Sequence, residues 1–239
     1  MLPVNPTFEN LTPEVVAKTI DHALLRPDMT TQDVISGCQL CAQYKTASVC
    51  VRPSDVSLAA KELKDTGVLV GTVIGFPHGT TTTQAKVAES LQALDDGAVE
   101  LDMVINIGRL KSNDINYVRN DIAAVVQASK KRLSQCCIKV ILECCLLTDD
   151  EKIKACGAAQ DAGADYVKTS TGFSAGGATL EDLRLMRQCT DPSRVRVKAS
   201  GGVRSLDELI ACLQAGADRI GASATAAIVD EMRSRKQSQ

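Results

Sequence analysis

The chain has 239 residues, 44% of them hydrophobic, with 27 Lys plus Arg against 29 Asp plus Glu and a net charge of −2. That length is ample for a large core and fits one α/β barrel or two smaller domains. The near-neutral balance argues against general nucleic-acid binding, which needs a basic face for phosphate contacts, but allows a local basic pocket for one small anion.

The N-terminus Met1-Leu2-Pro3-Val4-Asn5-Pro6 has neither the basic start nor the apolar core of a signal peptide. No apolar run approaches the ~20 residues of a membrane span. A soluble, cytoplasmic protein with no membrane partner is therefore expected, with residues 1–10 as a flexible end. In Leu11-Thr12-Pro13-Glu14, Thr12 is placed to cap a short helix whose first turn holds Pro13.

From there the chain alternates. Apolar, β-branched runs fall near 20–25, 47–51, 69–76, 99–107, 138–145, 166–171, 195–200 and 219–223. Helix-periodic segments lie between and after them, near 30–44, 54–65, 81–95, 113–132, 149–161, 179–189, 205–215 and 224–235, with a flexible tail at 233–239. Such alternation implies a parallel sheet flanked by helices, and eight strands suit a closed (β/α)8 TIM barrel. No composition break divides the chain, so 1–239 is read as a single barrel domain with a short N-terminal helix. A weak repeat agrees: Asp96-Gly97-Ala98, Asp161-Ala162-Gly163-Ala164 and Gln214-Ala215-Gly216-Ala217 each close a helix and lead into a strand. A doubly wound open sheet would show the same units.

The ten cysteines carry little chemistry. Cys38-Gln39-Leu40-Cys41 has redox or zinc spacing, but it lies within a helix and lacks a second Cys/His pair. Adjacent pairs Cys136-Cys137 and Cys144-Cys145 have no metal-ligand spacing. These read as structural thiols in a reducing compartment, with no metal site.

Strand parity is more informative. Side chains alternate faces along a strand. Glu100, Asp102 and Val104 thus share one face, as do Lys139, Ile141 and Glu143; Tyr166, Lys168 and Ser170; and Arg196, Lys198 and Ser200. The opposite faces are apolar and suit a covering layer of helices. In a barrel the polar faces form the interior, whose upper layer opens on the catalytic mouth. An ammonium buried there must find partners or lose its proton, and losing it creates a nucleophile.

The segments Ile20-Asp21-His22-Ala23-Leu24-Leu25, Gly75-Phe76-Pro77-His78-Gly79, Glu100-Leu101-Asp102-Met103-Val104-Ile105-Asn106, Val167-Lys168-Thr169-Ser170-Thr171-Gly172 and Val197-Lys198-Ala199-Ser200-Gly201-Gly202-Val203-Arg204 resemble deoxyribose-phosphate aldolases, in order and over nearly the whole chain. The resemblance implies a class I, Schiff-base aldolase on a (β/α)8 barrel. Its reaction is the reversible cleavage of 2-deoxy-D-ribose 5-phosphate to D-glyceraldehyde 3-phosphate and acetaldehyde, with no cofactor and no metal. It further implies Lys168 as the Schiff-base lysine, Lys198 as the neighbour that lowers its pKa, and Asp102 as the acid/base acting through water. Asp21, Cys50 and Thr171 would line the pocket. Gly172, Gly201, Gly202, Gly221 and Ser223, with Arg204 near them, would hold the 5-phosphate, as backbone N–H groups of such loops do. The only partner implied is a small phosphorylated sugar, besides self-association as a homo-oligomer, a dimer.

Elementary electrostatics supports the lysine roles independently. Free lysine, with pKa ~10.4, is only ~0.04% neutral at pH 7. Two ammoniums ~5 Å apart on adjacent strands repel by roughly 3 kcal/mol at an effective dielectric of ~20, enough to raise the free amine to ~10%. Asp102 opposes this, so it is expected closer to Lys198 than to Lys168. Lys139 and Glu143 are expected to form a supporting interior pair, and His22 and His78 to hydrogen-bond strand ends.

The chain departs from the family's pattern in places. Its tail has no tyrosine, Phe173 follows Gly172, and Ala224 follows Ser223 where some relatives have a second serine. Three other readings stay open: an inert interior ion network in which the lysines pair with Asp102 and Glu143, a transaldolase-like Schiff-base enzyme, and a non-catalytic barrel used as a binding scaffold.

Overall fold

Eight parallel strands pair in chain order, and the last closes on the first, in the computed structural model, which describes residues 2–3 and 5–238. They are β1 (Ile20–Leu24), β2 (Ser48–Val51), β3 (Leu69–Ile74), β4 (Glu100–Val104), β5 (Cys137–Ile141), β6 (Tyr166–Lys168), β7 (Arg196–Ser200) and β8 (Arg219–Ala222). The expected (β/α)8 barrel is the one observed. Helix α1 (Pro13–Ala17) precedes it, with Thr12 accepting from the Val15 amide as the anticipated cap.

The helices between strands are α2 (Thr31–Tyr44), α3 (Val56–Glu62), α4 (Thr83–Asp95), α6 (Ile115–Arg132), α7 (Asp149–Asp161), α8 (Leu180–Gln188) and α9 (Leu206–Gln214), and α10 (Thr225–Gln237) ends the chain. Thr30, Thr148 and Ser205 close full capping boxes, so three helix starts are fixed by local sequence alone. Gly97, Gly163 and Gly216 take φ of +107°, +82° and +105° after their helices, as the repeat implied.

Two differences have local causes. The strand expected over 99–107 ends at Val104, because Asn106 accepts from the Arg109 amide and starts the short helix α5 (Ile107–Lys111). The tail expected to be flexible from 233 continues α10 to Gln237: Arg235 pairs with Asp207 and Glu231, and Lys236 Nζ donates to the Glu9 carbonyl at 3.0 Å. Of the expected flexible ends, residues 1, 4 and 239 lie outside the described set.

The core splits by parity. Val49, Val51, Leu101, Met103, Ile138, Val140, Val167, Val197, Ala199 and Ile220 face the helices and are buried in one apolar cluster. The Val, Leu, Ile and Met side chains among them each contribute about 1.5–3 kcal/mol on burial. The alternate residues fill the barrel, and many of them are charged. Register then sets their neighbours: Asp102 stands opposite Lys139, Lys168 opposite Lys198, and Lys198 opposite Arg219.

Candidate active site

Seven charged groups share the barrel interior: carboxylates Asp21, Glu100 and Asp102, and cations Lys139, Lys168, Lys198 and Arg219. Lys139 donates to Glu100 Oε2 at 2.7 Å and Asp102 Oδ1 at 2.9 Å, and lies 3.3 Å from Asp21. Lys198 donates to Asp21 Oδ2 at 2.5 Å and Asp102 Oδ2 at 2.8 Å. Arg219 pairs with Glu100 and Asp21, and Ser48 Oγ donates to Asp21 Oδ1 at 2.7 Å. Lys168 has one carboxylate partner, Asp102 Oδ2 at 2.8 Å, which it shares with Lys198.

The expectation that Asp102 sits closer to Lys198 is corrected: it is equidistant. Lys168 and Lys198 are register partners on adjacent strands, so both ammoniums reach the same oxygen. The asymmetry comes instead from Asp21, which Lys198 has and Lys168 lacks.

Four cations face three carboxylates in a buried interior, and an uncompensated charge there is costly. The cation with the least compensation gives up its proton most readily. Burial lowers the Lys168 pKa below its ordinary value, and the repulsion of Lys198 adds to it against the pull of Asp102. Burial acts on Lys198 too, but Asp102 and Asp21 overcome it and raise that pKa. Lys139 is driven well above the lysine range once burial is outweighed by Asp102, Asp21 and Glu100. Burial would raise the Asp102 carboxyl, yet Lys139, Lys168 and Lys198 hold it well below the usual range. Three cations thus stay charged, and one amine is available.

That amine opens into a cavity of about 560 Å³ walled by the ends of β6, β7, β8 and β1. Ten of the eleven anticipated site residues line it: Lys168, Lys198, Asp21, Cys50, Thr171, Gly172, Gly201, Gly202, Gly221 and Ser223. Asp102, fully buried, lies outside that lining and meets it through the two lysines. Gly201 and Gly202 take φ of +86° and +90°, a turn that L side chains rarely adopt. Gly221 meets a different demand, since a Cβ there would lie 2.3 Å from Ser200 Oγ. The start of α10 follows Ser223, and no side chain caps it, so its first N–H groups are open to an anion. Arg204 lies on the same cavity wall.

The expected Lys139–Glu143 pair does not form. Glu143 instead anchors the loop after β6, accepting from the Thr171 hydroxyl and amide and from Ser174 Oγ. Lys139 turns down into the barrel because its parity partners there are Glu100 and Asp102. His22 does bond at its strand end, with Nδ1 2.9 Å from Thr225 Oγ1, and burial lowers its pKa to about 4, so it is neutral. His78 is exposed. Cys50 reaches the cavity, but burial, with Asp102 adding to it, pushes its thiol up to about 11. It is a wall and a poor nucleophile. The other cysteines are likewise free thiols.

Arg219 and the cross-barrel role of Glu100 were not anticipated as parts of the site. The signal was present: in Arg219-Ile220-Gly221, parity puts Arg219 on the face of Gly221.

A lysine amine whose pKa is lowered by burial, beneath a pocket with anion-binding loops, is the equipment of Schiff-base chemistry. Comparison with known proteins points the same way. Residues 15–229 match the family described as DeoC/LacD family aldolase. A deoxyribose-phosphate aldolase of Oceanobacillus iheyensis is 55% identical over 90% of this chain and 95% of its own length. One from Bacillus mycoides is 53% identical over 90% and 94%. The solved tetrameric deoxyribose phosphate aldolase from Aeropyrum pernix superposes with a TM-score of 0.88 at 30% identity, covering 95% of each chain. By sequence, fold and the chemistry of its interior, the chain belongs to the DeoC/LacD aldolase family.

Proposed function

We propose that this protein is a class I aldolase that reversibly cleaves 2-deoxy-D-ribose 5-phosphate to D-glyceraldehyde 3-phosphate and acetaldehyde. The observation that carries the reading is the inequality between the two facing lysines: Lys198 holds two carboxylates and Lys168 shares one.

In this reading Lys168 Nζ attacks the C1 aldehyde of the open-chain sugar, and loss of water gives a protonated imine. The cation draws electrons from the C2–C3 bond. Removal of the 3-hydroxyl proton breaks that bond, freeing glyceraldehyde 3-phosphate and leaving an enamine. Protonation at C2 and hydrolysis release acetaldehyde and restore the amine. Asp102 does not line the cavity, so it passes protons between the lysines or through water. Its depressed pKa makes it a weak direct base, and Lys198 serves as the local proton reservoir. Asp21 fixes Lys198, Cys50 and Thr171 shape the wall, and Gly172, Gly201, Gly202, Gly221 and Ser223 receive the 5-phosphate.

The same reading makes the protein a single-domain, cytoplasmic enzyme that self-associates, as a homodimer by family resemblance. Among the described residues no helix is long and apolar enough to cross a membrane.

The test is borohydride reduction in the presence of acetaldehyde, followed by peptide mass analysis. A stable adduct on Lys168 is expected. An unmodified Lys168, or an adduct on another lysine, would overturn the assignment.

A further inference from the structure

We propose that Arg26 is a substrate-binding residue that closes on the phosphate from the β1 side of the mouth. The inference rests on the aldolase reading above and extends it to a charge that the glycine loops do not supply.

A phosphate monoester carries about −1.5 to −2 charge at pH 7. Backbone N–H groups and a helix start offer dipoles, and full charge must come from side chains. The Lys and Arg side chains lining the cavity are Lys168, Lys198, Arg204 and Arg26. Lys168 is the reacting amine, and Lys198 is held by Asp21 and Asp102 at the floor. The loop after β6 brings Phe173, whose ring packs edge-on against Phe76 at 5.2 Å and carries no charge. The end of β8 and the residue after it bring only Gly221, Ala222 and Ser223. That leaves Arg204 from β7 and Arg26 from β1.

Both flank β8, with Arg204 on the β7 side and Arg26 on the β1 side, so the two cations approach the phosphate loops from opposite sides. The barrel closes by pairing β1 with β8, so the β1 loop is the next one round the mouth from Gly221 and Ser223. Arg52 fixes the base of that loop, donating from Nη1 to the carbonyls of Arg26 and Pro27 at 3.2 Å each. Arg52 is in turn held by Asp55 at 2.6 Å. The Arg26 side chain itself lies at the surface. Its ion-pair partner is Asp28 at 3.3 Å, and those side chains are 73% and 71% exposed. Such a pair is weak and readily exchanged for a bidentate phosphate contact.

Calorimetric titration with glycerol 3-phosphate at fixed ionic strength tests this without any carbon–carbon cleavage. Arg26→Ala should weaken binding about tenfold, and Arg26→Lys should recover part of the loss. Arg109→Ala, which removes an exposed cation from α5, should bind like the unaltered protein. With 2-deoxyribose 5-phosphate and 2-deoxyribose compared as substrates, Arg26→Ala should lower the ratio of their kcat/KM values by a similar factor. Wild-type affinity in Arg26→Ala, or an equal loss in Arg109→Ala, would overturn the inference. Tight binding of glycerol 3-phosphate by a protein that cleaves neither sugar would contradict the proposed reaction and leave the Arg26 result to stand alone.

Discussion

Lys168 and Lys198 face each other on β6 and β7, and their ammonium groups donate to one oxygen, Asp102 Oδ2, at 2.8 Å each. Symmetric geometry at that atom gives unequal amines because Asp21 lies 2.5 Å from Lys198 and is not paired with Lys168.

Replacing Lys168 by leucine should abolish borohydride trapping and cut turnover by at least about a thousandfold. The interior would then hold three cations and three carboxylates, so the barrel should stay folded, with an unchanged circular dichroism spectrum. Full residual trapping would place the nucleophile elsewhere.

Replacing Lys198 by leucine removes the cation that repels Lys168 and leaves Asp102 to it. The Lys168 pKa should rise, so the acid limb of the pH–rate profile should move up by roughly 1–2 pH units while turnover falls. An unmoved profile would reject the electrostatic role of Lys198.

Asp21→Asn should act at one remove. Lys198 loses the carboxylate that Lys168 lacks, so its charge is less secure and the inequality between the lysines shrinks. Breaking a buried pair in this way costs about 3–5 kcal/mol, readable as a lower denaturant midpoint, and the pH–rate profile should flatten on its acid side. A change in stability with no change in the profile would limit Asp21 to a structural part.

Much of this was legible in the sequence. Alternating segments and helix-closing glycines gave the barrel, and parity alone put Asp102, Lys168 and Lys198 on interior faces. What parity cannot supply is reach across the barrel. Lys139 was paired with Glu143 on its own strand, whereas the closed sheet brings Glu100, Asp102 and Asp21 to it. The left-handed backbone at Glu143, φ +60°, turns that side chain to the loop after β6. Burial by itself was also an incomplete guide. Lys86 is fully buried, yet it pairs one-to-one with Asp121 at 2.6 Å between α4 and α6. The functional mark is a surplus of cations over carboxylates, which needs the three-dimensional set.

Gly221→Ala should destabilise the barrel by about 1–3 kcal/mol, since the new methyl would press on Ser200 Oγ. Adding Ser200→Ala should recover at least ~1 kcal/mol of that loss in a double-mutant cycle. Additive effects in chemical denaturation would show that the contact is not the cause.

His22 adds a stability term with a definite sign. Its folded pKa of about 4 lies below the ~6.5 of a free histidine, so between those values the unfolded chain binds the proton and stability falls as pH drops. The loss from this residue should be about 2 kcal/mol between pH 7 and pH 5. The depressed Asp21 and Asp102 act in the same direction at lower pH: their contribution is present above the unfolded value near ~3.9 and is lost as pH falls toward their folded values. Denaturant unfolding at pH 7 and pH 5 should show a smaller difference for His22→Gln than for the parent. Equal differences would remove His22 from the account.

The most direct measurement is the titration of the two amines themselves, by NMR of protein carrying isotopically labelled lysine, with Lys168→Leu and Lys198→Leu used to assign the signals. Lys168 should lose its proton below the free-lysine value of ~10.4 while Lys198 holds its proton above it. The reverse order, or a Lys168 that titrates at the free-solution value, would contradict the central claim.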